Sequence, residues 1–411
     1  MWPFTRSIEH SSITRDGIPP ESRDVRGDWD AVVESILSQL TTHSGKTVNA
    51  DSALYSSAVV ACVRVLAETL ASLPLLLYKK RSDGGKDVAD SHPLYPILHD
   101  SPHPMLSSFE LRELLMGHLC LRGNGYAFKE QKGSGVILSL TPLIPQNMTP
   151  EVSPDGKTKI YRYQDGQGKE LTFKDEEIWH LRGLSTNGVI GLSPVSLARE
   201  AIGMALAAED YGARFFNNDA RPGGILTSPG KIQPDAAKRL KDSIEAASTG
   251  ANRHRLMVLE QGLNWTQVGL SQTDSQFLET RKLQIEEIAR IFRVPCILIG
   301  HSNNSSTFAS AEQFMLSFVI HTMRPWVVRW EQSINMHLLT EADRKQGYFA
   351  EFKLDALLRG DTASRYSAYS VAITSRIMNP NEVRALENMN PYDGGDEYKN
   401  PAIDKVQPEP D

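Results

Sequence analysis

The sequence has few cysteines, no excess of positive charge and no signature of a cysteine-rich fold. Its 411 residues include only three cysteines, which are too few and too widely spaced for a disulfide framework or a paired-cysteine zinc site. With 44 basic and 50 acidic residues the formal net charge is −6, so bulk positive charge does not hold nucleic acid here. The low cysteine count favours a reducing compartment, in which Cys62, Cys120 and Cys296 are buried free thiols. The net charge allows nucleic acid to be held only by a local ring of basic residues.

Long uninterrupted apolar runs are also missing. The longest apolar stretch, Ala58 to Tyr78, contains Arg64, Glu68 and Pro74, which spoil it as a membrane span of about 20 residues. The first ten residues lack the apolar core of a signal peptide. We therefore expect a soluble protein that is made in the cytoplasm and has no membrane partner.

The motifs of nucleotide-binding and hydrolytic enzymes are absent as well. Residues 44–47, Ser-Gly-Lys-Thr, resemble the end of a phosphate-binding loop, but Leu40 stands where that loop needs its first glycine. No Gly-x-Ser-x-Gly elbow occurs. His99, Asp100 and His103 lie close in sequence but lack the pattern of supporting residues that a metal site requires. The sequence predicts no enzyme activity, no metal and no cofactor.

The first third of the chain predicts a mobile arm followed by an α/β unit. Residues 1–49 are polar, with one stretch of helical apolar spacing. A helix is predicted from Val59 to just before Pro74, and the apolar run after that proline predicts a strand. Ser107 and Glu110 form a capping-box pattern that predicts the start of another helix.

The middle of the chain changes from short strands to long helices. Residues 124–183 contain short β-rich runs separated by turn signals, which predict an antiparallel sheet. Long helices are predicted at 193–217 and 273–294, with a compact α/β insert between them. A polar loop then leads into a helix from 310 to 339, in which Pro325 predicts a kink. Two further helices are predicted at about 362–373 and 380–389.

This ordered set of segments resembles the portal proteins of tailed bacteriophages, in particular the HK97-like portal family. The similarity runs from about residue 50 to 396. Two departures are Cys296, where the family usually has proline, and His301, where an acidic residue is common. The segments that carry the resemblance include VVACVRVLAETLASLPLLLY, LLMGHLCLRGNGYAF, IWHLRGLSTNGVIGLSPVSLARE, QFLETRKLQIEEIARIFRVP, STFASAEQ, MRPWVVRWEQ and NEVRALENMNPYDGGD.

The resemblance implies an α+β portal fold with named parts. These parts are an α/β wing, a stem of two helices, a small α/β clip, a kinked tunnel helix and a helical C-terminal crown. The corresponding ranges are a mobile arm at 1–49, wing at 50–190, stem helices at 193–219 and 271–295, clip at 221–268, tunnel loop, kinked helix and wing return at 296–356, and crown with C-terminal tail at 357–411.

The resemblance also implies a function and a set of partners. Portal subunits form a ring, usually of about twelve copies, at one capsid vertex, through which double-stranded DNA is packaged and later ejected. The expected partners are other copies of this chain, duplex DNA, the terminase large subunit, a head-tail adaptor, and the major capsid and scaffold proteins. The expected location is the virion, after assembly from the host cytoplasm.

Two groups of residues are candidates for contact with DNA or with the terminase. The tunnel loop carries hydroxyl and amide groups that can bond phosphate without a fixed register, although such a sequence is also typical of an ordinary solvated loop. Arg253, His254 and Arg255 could equally form a polar turn before a strand. Basic residues of the second stem helix could equally pair with Glu279, Glu286 and Glu287, as i to i+4 pairs or as bridges between subunits. The loop candidates are His301, Ser302, Asn303, Asn304, Ser305, Ser306 and Thr307, and the basic candidates are Arg253, His254, Arg255, Arg281 and Lys282.

Two other functions compete with a portal channel. A packaging-associated DNA-processing subunit would need an intact phosphate loop or a metal-binding carboxylate cluster. A head-tail adaptor ring would be shorter and would not need paired stem helices around a clip. Neither alternative matches the sequence as well as the non-enzymatic channel.

Overall fold

The structure is a computed structural model. It describes residues 42–217 without 134, 154 and 155, then 273–301, 308–354 and 362–398 without 388, together with residue 357 and short pieces of 224–242 and 264–267. Most of the predicted arm, most of the predicted clip and the end of the tail lie outside these residues. The described chain is of mixed helix and sheet class, as predicted.

The described residues contain eleven α-helices and eleven strands. The helices are α1 (Ser57–Ser72), α2 (Leu94–His99), α3 (Ser108–Arg122), α4 (Pro194–Leu197), α5 (Arg199–Asn217), α6 (Thr273–Phe292), α7 (Phe308–Phe318), α8 (Arg324–His337), α9 (Glu341–Lys345), α10 (Thr362–Thr374) and α11 (Pro380–Leu386). The strands are β1 (Leu75–Lys80), β2 (Lys86–Val88), β3 (Asn124–Lys132), β4 (Val136–Leu143), β5 (Met148–Val152), β6 (Lys159–Gln164), β7 (Glu170–Lys174), β8 (Ile178–Arg182), β9 (Gly224–Thr227), β10 (Asn264–Gln267) and β11 (Tyr348–Phe352).

Helix α1 and strand β1 confirm the helix predicted before Pro74 and the strand predicted after it. The apolar residues of α1 recur at helical spacing, and its inner face is buried. Pro74 separates the helix from β1, whose neighbours in an antiparallel sheet are β2 and β11. Because Leu75 pairs with Phe352, the chain returns to this first sheet after α8.

The ends of α3 confirm the predicted capping signals. The Ser107 hydroxyl accepts a hydrogen bond from the Glu110 N–H, and the Glu110 carboxylate accepts one from the Ser107 N–H. At the other end Gly123 has a left-handed backbone, φ 74°, which a glycine adopts without strain. The chain then enters β3, the central strand between β4 and β8.

The β-rich region forms two antiparallel sheets of three strands each. Strands β5, β6 and β7 make the second of these sheets, and a small apolar cluster of Tyr126, Met148, Tyr161 and Ile178 joins the two. A larger core spans α1, α3, α5, α6 and α8. Trp330 on α8 is fully buried there and makes an edge-to-face contact with Trp179, at 5.7 Å between ring centres.

Several predicted elements differ in detail. The proline-rich connector contains the short helix α2, since its first proline is followed by Leu94, Ile97 and Leu98, which are all buried. The predicted first long helix is divided at Ala198 into α4 and α5, and Ser193 caps α4 as expected. Strands β9 and β10 occur where strands are predicted in the insert, and they pair with each other. The predicted helix and the RLMVLE strand of the insert lie largely or wholly outside the described residues.

Candidate functional site

The long helices α5 and α6 pack against each other and against the main core. Arg281 on α6 lies 3.6 Å from Glu209 on α5. Both side chains are partly exposed, so water screens the pair and it contributes less than about 1 kcal/mol. Ile288 and Phe292 on α6 are buried in the core. Apolar burial, more than the ion pair, therefore fixes the helix pair to the body.

A tight turn formed by residues 42–47 lies on α5. The Thr42 N–H donates to the Lys46 carbonyl at 2.9 Å, and the Lys46 ammonium pairs with Asp210 on α5. A Cβ on Gly203 would lie 2.6 Å from the Thr42 hydroxyl, so only glycine permits this approach. Lys46, the residue that would contact phosphate in a nucleotide-binding loop, is thus engaged by a carboxylate of this chain.

Helix α6 ends in a left-handed turn. Arg293 has φ 57°, the Val294 N–H donates to the Ala289 carbonyl at 2.9 Å, and the Arg293 N–H donates to the Arg290 carbonyl at 3.2 Å. This pattern is the Schellman motif. Pro295 follows at once and prevents further helix, as the sequence predicts. The side chains of Arg290 and Arg293 consequently stay at the end of α6 and are exposed.

Of the predicted loop candidates, only His301 belongs to the described residues. Its Nε2 lies 3.5 Å from a carboxylate oxygen of Glu286 on α6, and its side chain is 18% exposed. Lys282 is exposed on α6. A role for these residues in DNA or terminase contact stays a prediction. The candidates outside the described residues are Ser302, Asn303, Asn304, Ser305, Ser306, Thr307, Arg253, His254 and Arg255.

Within this chain the ion pairs of α6 differ from the expected i to i+4 pairs, while the expected bridges between subunits stay a prediction. Arg281 pairs across to Glu209 on α5, because the two helices bring these side chains together. In the described part of the chain, no ion pair joins Lys282, Arg290 or Arg293 to an acidic side chain.

A cleft that sequence analysis did not predict lies between the end of α6 and the end of α7 with the segment that follows it. It has a volume of about 430 Å³. Its floor is apolar and buried, consisting of Ala289, Val294 and Phe318. Its rim carries the exposed side chains of Arg290, Arg293 and His321. In the sequence, Arg290 and Arg293 stand among the apolar residues of 289–294. This stretch borders a cleft only because residues 317–322 pack beside it.

The long helix around Pro325 contains a π-helical segment, Val319–Met323. The Arg324 N–H donates to the Val319 carbonyl five residues earlier, which widens the helix just before Pro325. This widening accommodates a proline, whose ring would otherwise clash with the carbonyl four residues earlier. The sequence predicts a kink at Pro325, and the structure places a π segment between α7 and α8 just before this proline. The Thr322 hydroxyl ties that segment to the end of α6 by donating to the Arg293 carbonyl at 2.6 Å.

A buried hydrogen-bond network explains the Gly- and Asn-rich motifs on either side of β3 and β8. The Asn124 amide donates to the Gly191 carbonyl at 2.8 Å, while its oxygen accepts from the Gly191 N–H at 2.7 Å. His180 Nε2 lies 3.0 Å from the same oxygen. A Cβ on Gly191 would lie 2.0 Å from the Gly123 carbonyl oxygen. The LRGNGYAF and NGVIGLSP motifs thus have a structural role that sequence analysis did not assign.

All three cysteines carry free thiols, and two of them are buried. Burial raises the pKa of Cys62 to about 12 and raises that of Cys120 further, while Cys296 is only partly buried. Across the described ranges, no three side chains of histidine, cysteine or acidic type converge as a metal site would require.

No described helix combines the length and apolar character of a membrane span.

A family model and two sequence relatives assign this chain to the same family. The family model for phage portal proteins matches residues 57–388. The portal protein of Enterobacteria phage HK97 is 35% identical over 353 residues, covering 85% of this chain and 82% of the relative. The probable portal protein of Streptomyces phage phiC31 is 36% identical over 384 residues, covering 90% of this chain and 82% of the relative.

A solved structure gives the same result for the fold. A chain in the virion of a native gene transfer agent particle superposes with a TM-score of 0.58 at 26% identity, covering 82% of this chain and 91% of that one. The paired long helices, the sheet that rejoins the chain after α8 and the sequence relatives all lead to one assignment. The chain belongs to the phage portal protein family.

Proposed function

We propose that this chain is a portal subunit that forms a ring channel at one capsid vertex, for DNA packaging, head-tail joining and DNA ejection. The observation that carries the proposal is the family match over residues 57–388, together with two portal relatives of which this chain covers 82% each. The ring is built from copies of this chain and is part of the virion. The fit to the virion chain of a gene transfer agent particle supports that location.

Several finer points belong to the same proposal. The ring contains about twelve subunits, assembles in the host cytoplasm, and works with a terminase large subunit, a head-tail adaptor, and capsid and scaffold proteins. The protein acts as a channel and not as an enzyme. Lys46 supports this view, because the lysine of the near-match to a phosphate loop is paired with Asp210.

In a channel, we expect the loop between α6 and α7 to contact the passing DNA. Its hydroxyl and amide side chains are suited to brief phosphate contacts, since neutral groups add little to the electrostatic hold on DNA. Each subunit has a net charge of −6, so the ring as a whole repels the DNA backbone and favours passage.

Deletion of Ser302 to Ser306 tests this role. We expect rings of unchanged mass but particles that package or retain less DNA, measured as DNA content per particle. A matched deletion of residues 407–411 removes the same number of residues and should leave DNA content unchanged. Normal DNA content in the loop-deleted particles would remove the loop from the proposed function.

A further inference from the structure

The end of α7 exposes apolar side chains around most of its circumference. Phe314, Met315 and Leu316 are 46%, 40% and 47% exposed, although they are consecutive. Successive residues of an α-helix are about 100° apart, so these three point in widely different directions. An apolar helix turn that is exposed on several sides needs more than one neighbour to cover it.

Two faces of this helix are distinct. Leu316 and Ile320 are four residues apart and form an exposed apolar stripe; Ile320 is 42% exposed. Phe318 and Thr322 lie on the face that borders the cleft at the end of α6. Leu316 and Phe318 differ by about 200° around the helix. The stripe and the cleft therefore lie on nearly opposite sides of one element.

The lining of the cleft decides which kind of group it accepts. A phosphate site would present donors at its floor, whereas this floor is formed by buried Ala289, Val294 and Phe318. The Thr322 hydroxyl is already used, because it donates to the Arg293 carbonyl. Among the described lining residues, the other side-chain donors belong to the exposed Arg290, Arg293, Ser317 and His321, which lie at the rim. Such an arrangement, apolar at the centre and arginine-rich at the edge, is typical of a protein-protein interface.

We propose that the stripe of Leu316 and Ile320 in one subunit packs into the cleft of the next subunit around the ring. The proposal rests on the ring of the proposed function and deepens it by naming the contact. A head-to-tail ring needs two different surfaces on each copy, and a closed ring uses every one of them. The stripe and the cleft lie on opposite sides of one helix and so meet that need. The occupant of the cleft is therefore a second copy of this chain.

Matched aspartate variants test the role of the stripe. Leu316→Asp and Ile320→Asp place a carboxylate at the stripe, while Leu138→Asp makes the same change on β4, where the leucine is 53% exposed. Native mass spectrometry of the full chain should show loss of rings for the first two variants and wild-type rings for the third. Half-assembly should need at least about tenfold more protein for the stripe variants, as expected for a central interface residue.

Cysteine cross-linking tests the pairing of the two surfaces. In a Cys296→Ser background, Ile320→Cys and Arg290→Cys are made separately and together, and treated with a short bis-maleimide. The double variant should give a ladder of covalent multimers, and each single variant should remain monomeric under denaturing conditions. Dimers from Ile320→Cys alone would show a two-fold contact and overturn the proposal, as would a double variant without a ladder.

The outcomes separate this proposal from the proposed function. If wild-type rings form and both stripe variants keep their rings, the stripe contact is wrong while the channel stands. If Arg290→Glu keeps its rings but its particles lose DNA, the cleft contacts phosphate and the proposal is overturned. If neither wild-type protein nor particles contain a ring, both proposals are wrong.

Discussion

At the residue scale, Asn124 determines how the chain enters and leaves the central sheet. Its buried amide bonds both the N–H and the carbonyl of Gly191. Asn124→Ala leaves these two groups without their partner, which we expect to lower the free energy of unfolding by about 3 kcal/mol in a guanidinium titration. Gln146→Ala removes an exposed hydrogen bond to Arg122 and serves as the control, with a change below about 0.5 kcal/mol. Equal effects of the two variants would contradict the role of burial.

Gly203 and Gly117 are both glycines in helices, yet they should respond to alanine in opposite ways. Nothing lies within 4 Å of a Cβ at Gly117, so Gly117→Ala should stabilise by about 0.5–1 kcal/mol. A Cβ at Gly203 meets Thr42, so Gly203→Ala should destabilise by about 1–3 kcal/mol and expose the 42–47 turn to limited proteolysis. Adding Thr42→Gly should reverse the loss. Stabilisation by Gly203→Ala alone would show that the turn does not lie on α5.

Three histidines that are buried or partly buried predict a loss of stability in acid. Burial lowers the pKa of His118 to about 4, that of His337 to about 4, and that of His180 well below its usual value. Below about pH 6.5 the unfolded histidine binds a proton that the folded one does not, so stability is greatest above that pH and falls toward pH 4. Each group contributes up to about 1.4 kcal/mol per pH unit.

His118→Leu tests this dependence. Its Nδ1 is buried without a hydrogen-bond partner among the described residues, so leucine suits the site. Unfolding free energies measured from pH 8 to 4.5 should fall less steeply for the variant, with the two proteins diverging below pH 6.5. Parallel curves over the whole range would contradict the assignment.

At the element scale, the π segment before Pro325 sets the position of α7. Pro325→Ala supplies an N–H that can bond four residues back, so Val319–Met323 should revert to α-helix and rotate α7 relative to α8. A structure of the variant ring would show the rotation directly. An unchanged π segment with alanine present would mean that packing, and not the proline, holds it.

Local signals predicted the elements well. The capping box of α3, the Ser193 cap and the stops at Pro74 and Pro295 act within a few residues, so the sequence alone reveals them. The π segment and strand β11 were not predicted. They depend on packing between segments far apart in sequence, such as Arg293 with Thr322 and Leu75 with Phe352.

The candidate site shows the same limit more strongly. The sequence identified the polar loop and the basic residues as candidates. It did not show which of those residues lie on the same surface. Arg290 and Arg293 became part of a cleft only because the Schellman turn ends α6 beside the π segment. The Asn124 network escaped prediction for the same reason, since Gly191 is 67 residues away.

At the scale of the whole molecule, the negative charge predicts weak contact with DNA. Each subunit is acidic overall, so purified rings should bind duplex DNA weakly at physiological salt, with a shallow dependence on salt concentration. Fluorescence anisotropy with a labelled duplex measures both quantities. Tight binding that falls steeply with added salt would contradict weak contact between the ring and DNA.

The mass and symmetry of the purified protein test the portal assignment most directly. Native mass spectrometry combined with electron-microscope class averages should show a closed ring of about twelve copies with a central hole wide enough for duplex DNA. A protein that stays monomeric and also fails to co-purify with capsid particles would contradict the assignment.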